Sequence, residues 1–322
     1  MNDVTHPQPD DRSLIERAAS RYGLDDLTRV AGLRPPFAAP DAPPAFAEPR
    51  IHAPVAPPTT TAPAPTERAP LPRPAPGGAR VAIDRTLLET SGMILPGASV
   101  SVLAEEFRLV KRQLLLTART LHANPAKART ILICSARPDE GKTFCAINLA
   151  ISLAAERETE VLLIDGDFAK RDLMPRLGLA NGPGFLDALA DDGVDPETLV
   201  TRTDIPQLAV LGAGTRANDD TELLASERTR TVIARLLDAD PRRIVVFDSP
   251  PALAASPASV FALHAGQVMM VVRADRTTDT ELRDAVALLD GCEHIQLVLN
   301  QVRHRAGGYR FGDYYAPTED KE

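Results

Sequence analysis

The stretch ILICSARPDEGKT, residues 131–143, constrains the fold more than any other part of the sequence. Its apolar, β-branched beginning predicts a buried strand, and residues 143–156 carry apolar side chains at helical spacing. The loop between them matches the phosphate-binding pattern G-x-x-x-x-G-K-[ST] at Gly141, Lys142 and Thr143, with Ala136 in place of the first glycine. A loop that opens a helix points backbone N–H groups and a positive dipole end at one spot, so the stretch predicts nucleotide binding.

Each loop residue has an expected task. The Lys142 ammonium would reach the β- and γ-phosphates of ATP, and the Thr143 hydroxyl would ligate Mg²⁺. The set expected to contact the nucleotide comprises Asp139, Glu140, Gly141, Lys142, Thr143 and Phe144. Alanine at position 136 costs little provided that this position does not need a positive φ.

From residue 131 onward, short apolar runs alternate with helical stretches, which predicts an α/β fold of the P-loop NTPase type: a mostly parallel sheet with helices on both faces. The predicted strands are 131–134, 161–164, 208–211, 244–247, 268–272 and 295–299. The predicted helices are 102–121, 143–156, 185–190, 221–237, 257–263 and 278–289. In such sheets a ligand binds beyond the carboxyl ends of the strands.

Acidic residues end two of these strands. Asp165 and Asp167 follow the second strand, and Asp248 ends the fourth. Carboxylates beside a phosphate loop predict a Mg²⁺ site, with Thr143, Asp165 and Asp248 as ligands; capping of a following helix is the alternative for any one of them. Asn300 ends the last strand, where its amide could bind an adenine edge or form a turn.

Composition divides the chain into four segments. Residues 1–30 contain a short amphipathic helix at 13–22, either a frayed end or a docking element. Residues 31–80 are expected to form a disordered linker, since 15 of the 29 prolines lie between positions 32 and 80. Residues 81–303 form the folded domain, and residues 304–322 form a flexible tail that carries Tyr309, Tyr314 and Tyr315.

The remaining composition excludes several classes of function. A net charge of −8 argues against nucleic-acid binding, which needs clustered Lys and Arg. No apolar run is long enough to span a membrane, and no signal peptide begins the chain. The three cysteines lack metal-ligand spacing, which favours a reduced, cytoplasmic protein.

The ordered motifs AEEFRLVKR (104–112), SARPDEGKTFCAINLA (135–150), VLLIDGD (161–167), VVFDSPP (245–251) and VLNQV (298–302) resemble a known family. It is the bacterial tyrosine autokinases (BY-kinases) of exopolysaccharide and capsule synthesis, and the chain is most similar to the exosortase-associated branch. The similarity runs from residue 104 to residue 315 and includes the opening SLIERA, residues 13–18.

The resemblance implies an ATP- and Mg²⁺-dependent protein-tyrosine kinase that phosphorylates tail tyrosines in trans and regulates polysaccharide polymerisation or export. Lys142, Asp165 and Asp167 would be catalytic. It also implies a cytoplasmic protein held at the inner membrane by a separate polysaccharide co-polymerase, a tyrosine phosphatase as partner, and a homo-oligomeric ring. The family's E-x-x-R-x-x-R helix would supply the ring contact through Glu105, Arg108 and Lys111.

The chain departs from the family pattern at three places. Lysine replaces arginine at position 111 and loses the bidentate fork. Lys170-Arg171 stands where the family has Arg-Pro after the acidic motif. The tail holds three tyrosines where relatives often carry denser clusters. Two other functions are considered beside the kinase: a ParA/MinD-like ATPase switch without kinase activity, and a non-catalytic scaffold. Related partitioning ATPases place a signature lysine where this chain has Arg137, so the absence of that lysine favours the kinase over the switch.

Overall fold

A computed structural model describes residues 80–121, 124–215 and 220–302, all of which fall in one unit, Glu67–Glu322. The predicted helix at 13–22, nearly all of the proline-rich linker and the tail tyrosines Tyr309, Tyr314 and Tyr315 lie outside the described residues. In the described part of the chain, no helix is both long enough and apolar enough to cross a membrane.

A seven-stranded sheet forms the centre of the fold, in the order β3-β4-β2-β5-β1-β6-β7. The strands are β1 (Thr130–Ser135), β2 (Glu160–Asp165), β3 (Thr201–Arg202), β4 (Leu208–Leu211), β5 (Arg243–Asp248), β6 (Gln267–Arg273) and β7 (Ile295–Asn300). Every pairing is parallel except that of β3 with β4. The predicted P-loop-type α/β sheet is therefore confirmed. The two-residue β3 was not predicted, because it is too short to show a strand pattern.

Helices connect these strands. They are α1 (Arg85–Thr90), α2 (Val102–Thr120), α3 (Lys142–Ala154), α4 (Leu173–Arg176), α5 (Phe185–Ala190), α6 (Asp220–Leu224), α7 (Glu227–Asp238), α8 (Pro257–His264) and α9 (Asp279–Ala287). The single helix predicted at 221–237 is wrong. The backbone of Ser226 is extended. The Ser226 hydroxyl donates a hydrogen bond to the Leu223 carbonyl, and the Thr229 hydroxyl donates one to the Leu224 carbonyl. Because these side chains replace backbone N–H donors, α6 ends before α7 begins.

The strands β1, β2, β4, β5 and nearly all of β6 are buried on both faces because most of their residues are apolar. In β1, Ile131 and Ile133 belong to one core cluster, whereas Leu132 and Cys134 belong to the other. This alternation follows from the two-residue period of a strand. Helix α3 packs against the Ile131 side and is buried along most of its length.

The starts of β2 and β5 are held side by side by a buried ion-pair cluster. The guanidinium of Arg243 is 1% exposed; it bonds Glu160 at 2.5 and 3.0 Å and Glu197 at 2.6 and 3.0 Å. The buried guanidinium of Arg243 is thereby paired with two carboxylates of the same chain. The same register places Asp165 opposite Asp248 at the other end of the two strands.

Candidate nucleotide site

The loop between β1 and α3 is shaped by Gly141. Its φ is +95°, and a Cβ at this position would lie 2.1 Å from the Asn300 side-chain nitrogen, so only glycine fits. Ala136 does not adopt a positive φ and is fully buried, which is why alanine is tolerated there and a larger side chain would not be. Asp139 has a φ of +62°, a conformation that aspartate tolerates better than most residues.

Glu140 turns away from the loop's concave side. Its side chain is fully buried, accepts a hydrogen bond from the Arg137 N–H at 2.8 Å and accepts another from the Thr277 hydroxyl. Thr277 follows β6, and its hydroxyl also accepts the Arg273 N–H at 3.0 Å. The Glu140 carboxylate therefore fastens the loop to the β6–α9 connection, and only its backbone is left to face a nucleotide.

A second link joins the same two segments. The Arg137 guanidinium forms an ion pair with Glu281 in the first turn of α9. Glu281 in turn accepts the Thr278 N–H at 2.9 Å in the helix capping box. Arg137 is thus held by its own chain.

Removing the Thr277 hydroxyl should loosen the loop without unfolding the protein. We expect Thr277→Val to weaken nucleotide binding about tenfold, because a buried carboxylate loses a hydrogen bond of roughly 1.5–3 kcal/mol. Thr277→Ser keeps the hydroxyl and serves as the matched control, with affinity close to that of the unchanged chain. Titration with a fluorescent ATP analogue measures both. Equal affinities for the valine and serine variants would contradict this role.

Three carboxylates gather beyond the carboxyl ends of β2 and β5. Asp165, Asp167 and Asp248 are each at most 7% exposed. One oxygen of Asp165 accepts the Asp167 N–H at 3.2 Å, and its other oxygen has no hydrogen-bond partner. Neither oxygen of Asp248 has one. Buried carboxylate oxygens without partners are costly, and they need a cation or a proton.

Burial dominates the protonation of these groups. Burial raises the pKa of Asp248 to about 8; the nearby Thr143 hydroxyl and the Lys142 ammonium act against this rise, and the Asp165 carboxylate adds to it. Burial likewise raises the pKa of Asp165 to about 7. The pKa of Asp167 is raised by burial and held down in part by Lys142. Lys142, which is itself 7% exposed at the start of α3, favours negative charge on Asp167 and Asp248.

The residues present fit a hard divalent cation. Mg²⁺ binds through one or two carboxylates and completes its shell with phosphate and water oxygens. Asp165 and Asp248 supply the unpartnered oxygens, and Thr143 lies in the first turn of α3 beside them. Within the described ranges, no three His, Cys, Asp or Glu side chains form a metal cluster, so an all-protein cage is not the arrangement here.

A cavity of about 430 Å³ opens over the loop. The loop residues Asp139, Gly141, Lys142, Thr143 and Phe144 line it, together with Asp167, Asn300 and Gln301. Lys170 and Arg176 also line this cavity, although neither was predicted from the sequence to contact the nucleotide. The Lys170 ammonium lies 3.1 Å from the Asp139 carboxylate, which raises the pKa of Lys170, and Arg176 pairs with Asp172 at 3.0 Å. The basic Lys170-Arg171 pair just after an acidic strand end was the available signal.

Asn300 lies against the loop and uses its amide within the protein. Its nitrogen donates to the Glu140 carbonyl at 2.9 Å, and its oxygen accepts the Gln301 N–H at 2.9 Å. One N–H of the amide is left for a nucleobase. Contact between Asn300 and adenine stays a prediction.

The predicted subunit-contact residues lie on α2, away from the cavity over the loop. Glu105 and Arg108 pair with each other one turn apart. Lys111 is buried, donates to the Ser152 carbonyl at 3.0 Å and pairs with Glu156 at 2.7 Å, so its charge supports the end of α3 within its own chain. Arg108 and Lys111 also border a larger cavity, of about 580 Å³, which contains no residue of the phosphate loop.

The fold is of the P-loop NTPase type, and this site is its candidate nucleotide site. No protein-family profile matches the chain. Its curated relatives include the tyrosine-protein kinase wzc of Salmonella typhimurium, 31% identical over 192 residues, which is 59% of this chain and 26% of the relative. The succinoglycan biosynthesis transport protein ExoP of Rhizobium meliloti is 32% identical over 206 residues, 63% of this chain and 25% of the relative. The chain thus spans about a quarter of the length of the curated relatives it matches.

A solved structure, the BceF tyrosine kinase domain, is 26% identical, with a TM-score of 0.53 over 68% of this chain and 90% of that domain. The chain is therefore a homologue of bacterial tyrosine-protein kinases, and the resemblance noted from its motifs is confirmed. Membership of the exosortase-associated branch stays a prediction.

Proposed function

We propose that this chain is an ATP-dependent protein-tyrosine kinase that phosphorylates tyrosines of its own C-terminal tail in trans. The observation that carries the proposal is the set of three buried carboxylate oxygens without hydrogen-bond partners, one on Asp165 and two on Asp248, beside the phosphate loop that holds Lys142. The proposed reaction, phosphoryl transfer to tyrosine, is inferred from similarity to proteins named as tyrosine-protein kinases. The acceptors are Tyr309, Tyr314 and Tyr315.

Each residue has a part in the transfer. The loop N–H groups and Lys142 hold the β- and γ-phosphates, while Asp165 or Asp167 orients the attacking tyrosine hydroxyl and takes up its proton. Mg²⁺, held by Thr143, Asp165 and Asp248, would neutralise charge on the phosphate oxygens. The tyrosine oxygen forms a bond to the γ-phosphorus as the bond to ADP breaks. Phosphoryl transfer depends mainly on positioning, so the base need not be strong.

The wider role follows the relatives. Since ExoP is named a succinoglycan biosynthesis transport protein, we place the chain in exopolysaccharide polymerisation or export. It would act in the cytoplasm at the inner membrane, through a separate polysaccharide co-polymerase, as a ring of subunits reset by a tyrosine phosphatase. Because Lys111 is engaged within its own chain, Glu105 and Arg108 are the residues of the α2 set that remain available for a ring contact.

Phosphotyrosine mapping tests the proposal. The purified chain is incubated with Mg-ATP, with and without a membrane fraction from its own cells, and phosphorylated peptides are identified by mass spectrometry. We expect phosphate on Tyr309, Tyr314 or Tyr315. Changing all three to phenylalanine should remove most of it while ATP binding stays unchanged, because the substitutions leave every described residue that lines the nucleotide cavity as it is.

The same experiment separates the proposal from its alternative. ATP hydrolysis without any phosphotyrosine, in both preparations, would favour a ParA/MinD-like ATPase switch. One observation counts against that switch: Arg137 is paired with Glu281 of its own chain and is not extended toward a neighbour. Phosphate that persists elsewhere in the triple phenylalanine variant would contradict the choice of acceptors.

A further inference from the structure

Lys170 lies in the turn that follows β2, beside the acidic residues of the nucleotide site. Its backbone N–H donates to the Asp167 carbonyl at 3.1 Å and to the Asp167 carboxylate at 3.3 Å, which closes the turn. The Lys170 side chain lines the nucleotide cavity together with Asp167 and Lys142. Lys170 is therefore held next to one of the carboxylates proposed to orient the attacking tyrosine.

The Lys170 ammonium reaches from this turn to the phosphate loop. Its nitrogen lies 3.1 Å from a carboxylate oxygen of Asp139, in the loop between β1 and α3. Both side chains are exposed, Lys170 at 52% and Asp139 at 70%. Exposed ion pairs add little to stability, so the two groups separate at small cost. The ammonium is thus available to a stronger anion that enters the cavity.

The order of the strands indicates which part of a bound ATP lies nearest to Lys170. β2 lies two strands from β1 on one side, and β7 lies two strands from β1 on the other. Asn300 lines the cavity at the end of β7, where contact with adenine is predicted, and Lys142 begins α3 directly after the loop. A nucleotide that runs from Asn300 past Lys142 has its γ-phosphate on the β2 side, beside Asp167 and Lys170.

We propose that the Lys170 ammonium binds the γ-phosphate of ATP and leaves Asp139 when the nucleotide enters. The inference rests on the proposed function for the identity of the nucleotide. A terminal phosphate carries more negative charge than a carboxylate and offers three oxygen acceptors, so it competes well for the ammonium.

Lys170 would act beside Lys142 as a second cation at the transferred group. The Arg137 guanidinium pairs with Glu281 on α9, whereas the Lys142 and Lys170 ammonium groups both line the cavity. Charge in the transition state of phosphoryl transfer is spread over the equatorial oxygens of the γ-phosphate. Cations already in place around those oxygens stabilise that charge.

Binding of two nucleotides to the full chain, both with Mg²⁺, tests the inference. One is an ATP analogue with an uncleavable β–γ bridge, and the other is ADP. We expect Lys170→Met to weaken binding of the analogue about tenfold and to leave ADP binding nearly unchanged, because ADP has no γ-phosphate. Lys170→Arg keeps the charge and should retain most of the preference for the analogue.

Arg230→Met is the matched control for loss of a surface cation. Arg230 pairs with Glu227 at 2.8 Å on α7, both side chains are largely exposed, and neither lines the nucleotide cavity. The substitution therefore breaks another exposed ion pair and removes the same charge. It should change neither affinity.

Asp139→Asn tests the release of the ion pair. Asparagine tolerates the positive φ at this position, and it leaves the Lys170 ammonium free before the nucleotide enters. The preference for the analogue over ADP should rise more in the presence of Lys170 than in Lys170→Met. Direct repulsion between Asp139 and the nucleotide acts in both backgrounds, so it cancels in this comparison.

Two results would overturn the inference without affecting the kinase proposal. Equal losses for the analogue and ADP in Lys170→Met would show that the ammonium does not distinguish the γ-phosphate. Unchanged affinities for both would make Lys170 a solvated surface cation. In either case the chain still binds ATP, and phosphotyrosine mapping decides the reaction. If the unchanged chain bound neither nucleotide, the inference and the proposed function would fail together.

Discussion

Replacement of Lys142 by alanine is expected to lower autophosphorylation by about 100-fold or more, while the fold is retained. The Lys142 ammonium is almost completely buried at the start of α3, with Asp167 and Asp248 close enough to feel its charge. A nucleotide would bring several more negative charges to the same place. Without the lysine, only the backbone N–H groups and the helix dipole of α3 would offset them.

The measurement compares two lysine variants. Lys127→Ala lies in the short helical turn Lys127–Arg129 before β1, at the opposite end of that strand, and should keep full phosphotyrosine yield. Circular dichroism and thermal unfolding report whether either variant remains folded. Phosphotyrosine at the unchanged level in Lys142→Ala would remove the phosphate loop from the mechanism and, with it, the assignment of the site.

Much of the fold was accessible from the sequence because its elements are strongly patterned. The β1–loop–α3 unit combines an apolar strand, a glycine at the loop position where a Cβ would meet the Asn300 side chain, and a mostly apolar helix. All six predicted strands are present for the same reason. The break between α6 and α7 was missed because it depends on the Ser226 and Thr229 hydroxyls, and the helical spacing of apolar residues continues across it.

The direction in which a side chain points was harder to predict from the sequence than the strands and helices were. Glu140 sits in a phosphate-binding pattern, yet its carboxylate faces Thr277, a partner 137 positions away in the chain. Lys111 lies in a charged helical motif, yet it reaches Ser152 and Glu156 of its own chain. Local sequence fixes where such a residue lies on a helix or loop. Which neighbour it meets depends on packing between elements that are distant in sequence.

Lys170 is a residue of the nucleotide cavity that was not predicted from the sequence. The basic pair Lys170-Arg171 is only a weak signal for a nucleotide cavity, since charged pairs after a strand are usually solvated. It lines the cavity because β2 lies two strands from β1 in the sheet and the turn after Asp167 bends back over the loop. The position was visible only once the order of the strands was known.

Asp248→Asn is expected to make the nucleotide-free protein more stable and to abolish its stabilisation by Mg-ATP. The folded-state pKa of Asp248 is about 8, raised by burial from 3.8. The folded state therefore holds a proton that the unfolded chain has already lost, and stability falls as pH rises from about 4 to about 8. Asparagine cannot ionise, so its advantage should be small near pH 4 and should grow as the pH rises to about 8.

Asp240→Asn is the matched control, because its expected sign is opposite. Burial acts to raise the pKa of Asp240, but hydrogen bonds from Arg242, at 2.6 and 3.1 Å, outweigh it, and the pKa is lowered. That carboxylate stabilises the fold above the pKa of the unfolded chain, and the stabilisation is lost as pH falls through the lowered value. Asp240→Asn should therefore destabilise the protein at neutral pH.

Thermal unfolding of both variants with and without Mg-ATP separates the two effects of Asp248. At 100 times its dissociation constant a ligand adds about 2.7 kcal/mol to stability, and the unchanged chain and Asp240→Asn should both show this gain. Asp248→Asn should show almost none, because the cation loses a carboxylate. If Asp248→Asn lowered stability without nucleotide, its carboxylate would be a structural partner; if it kept the full gain with Mg-ATP, the metal would lie elsewhere. Higher stability without nucleotide, together with loss of the gain from Mg-ATP, would show that the Asp248 carboxylate destabilises the free protein and stabilises the complex with its ligand.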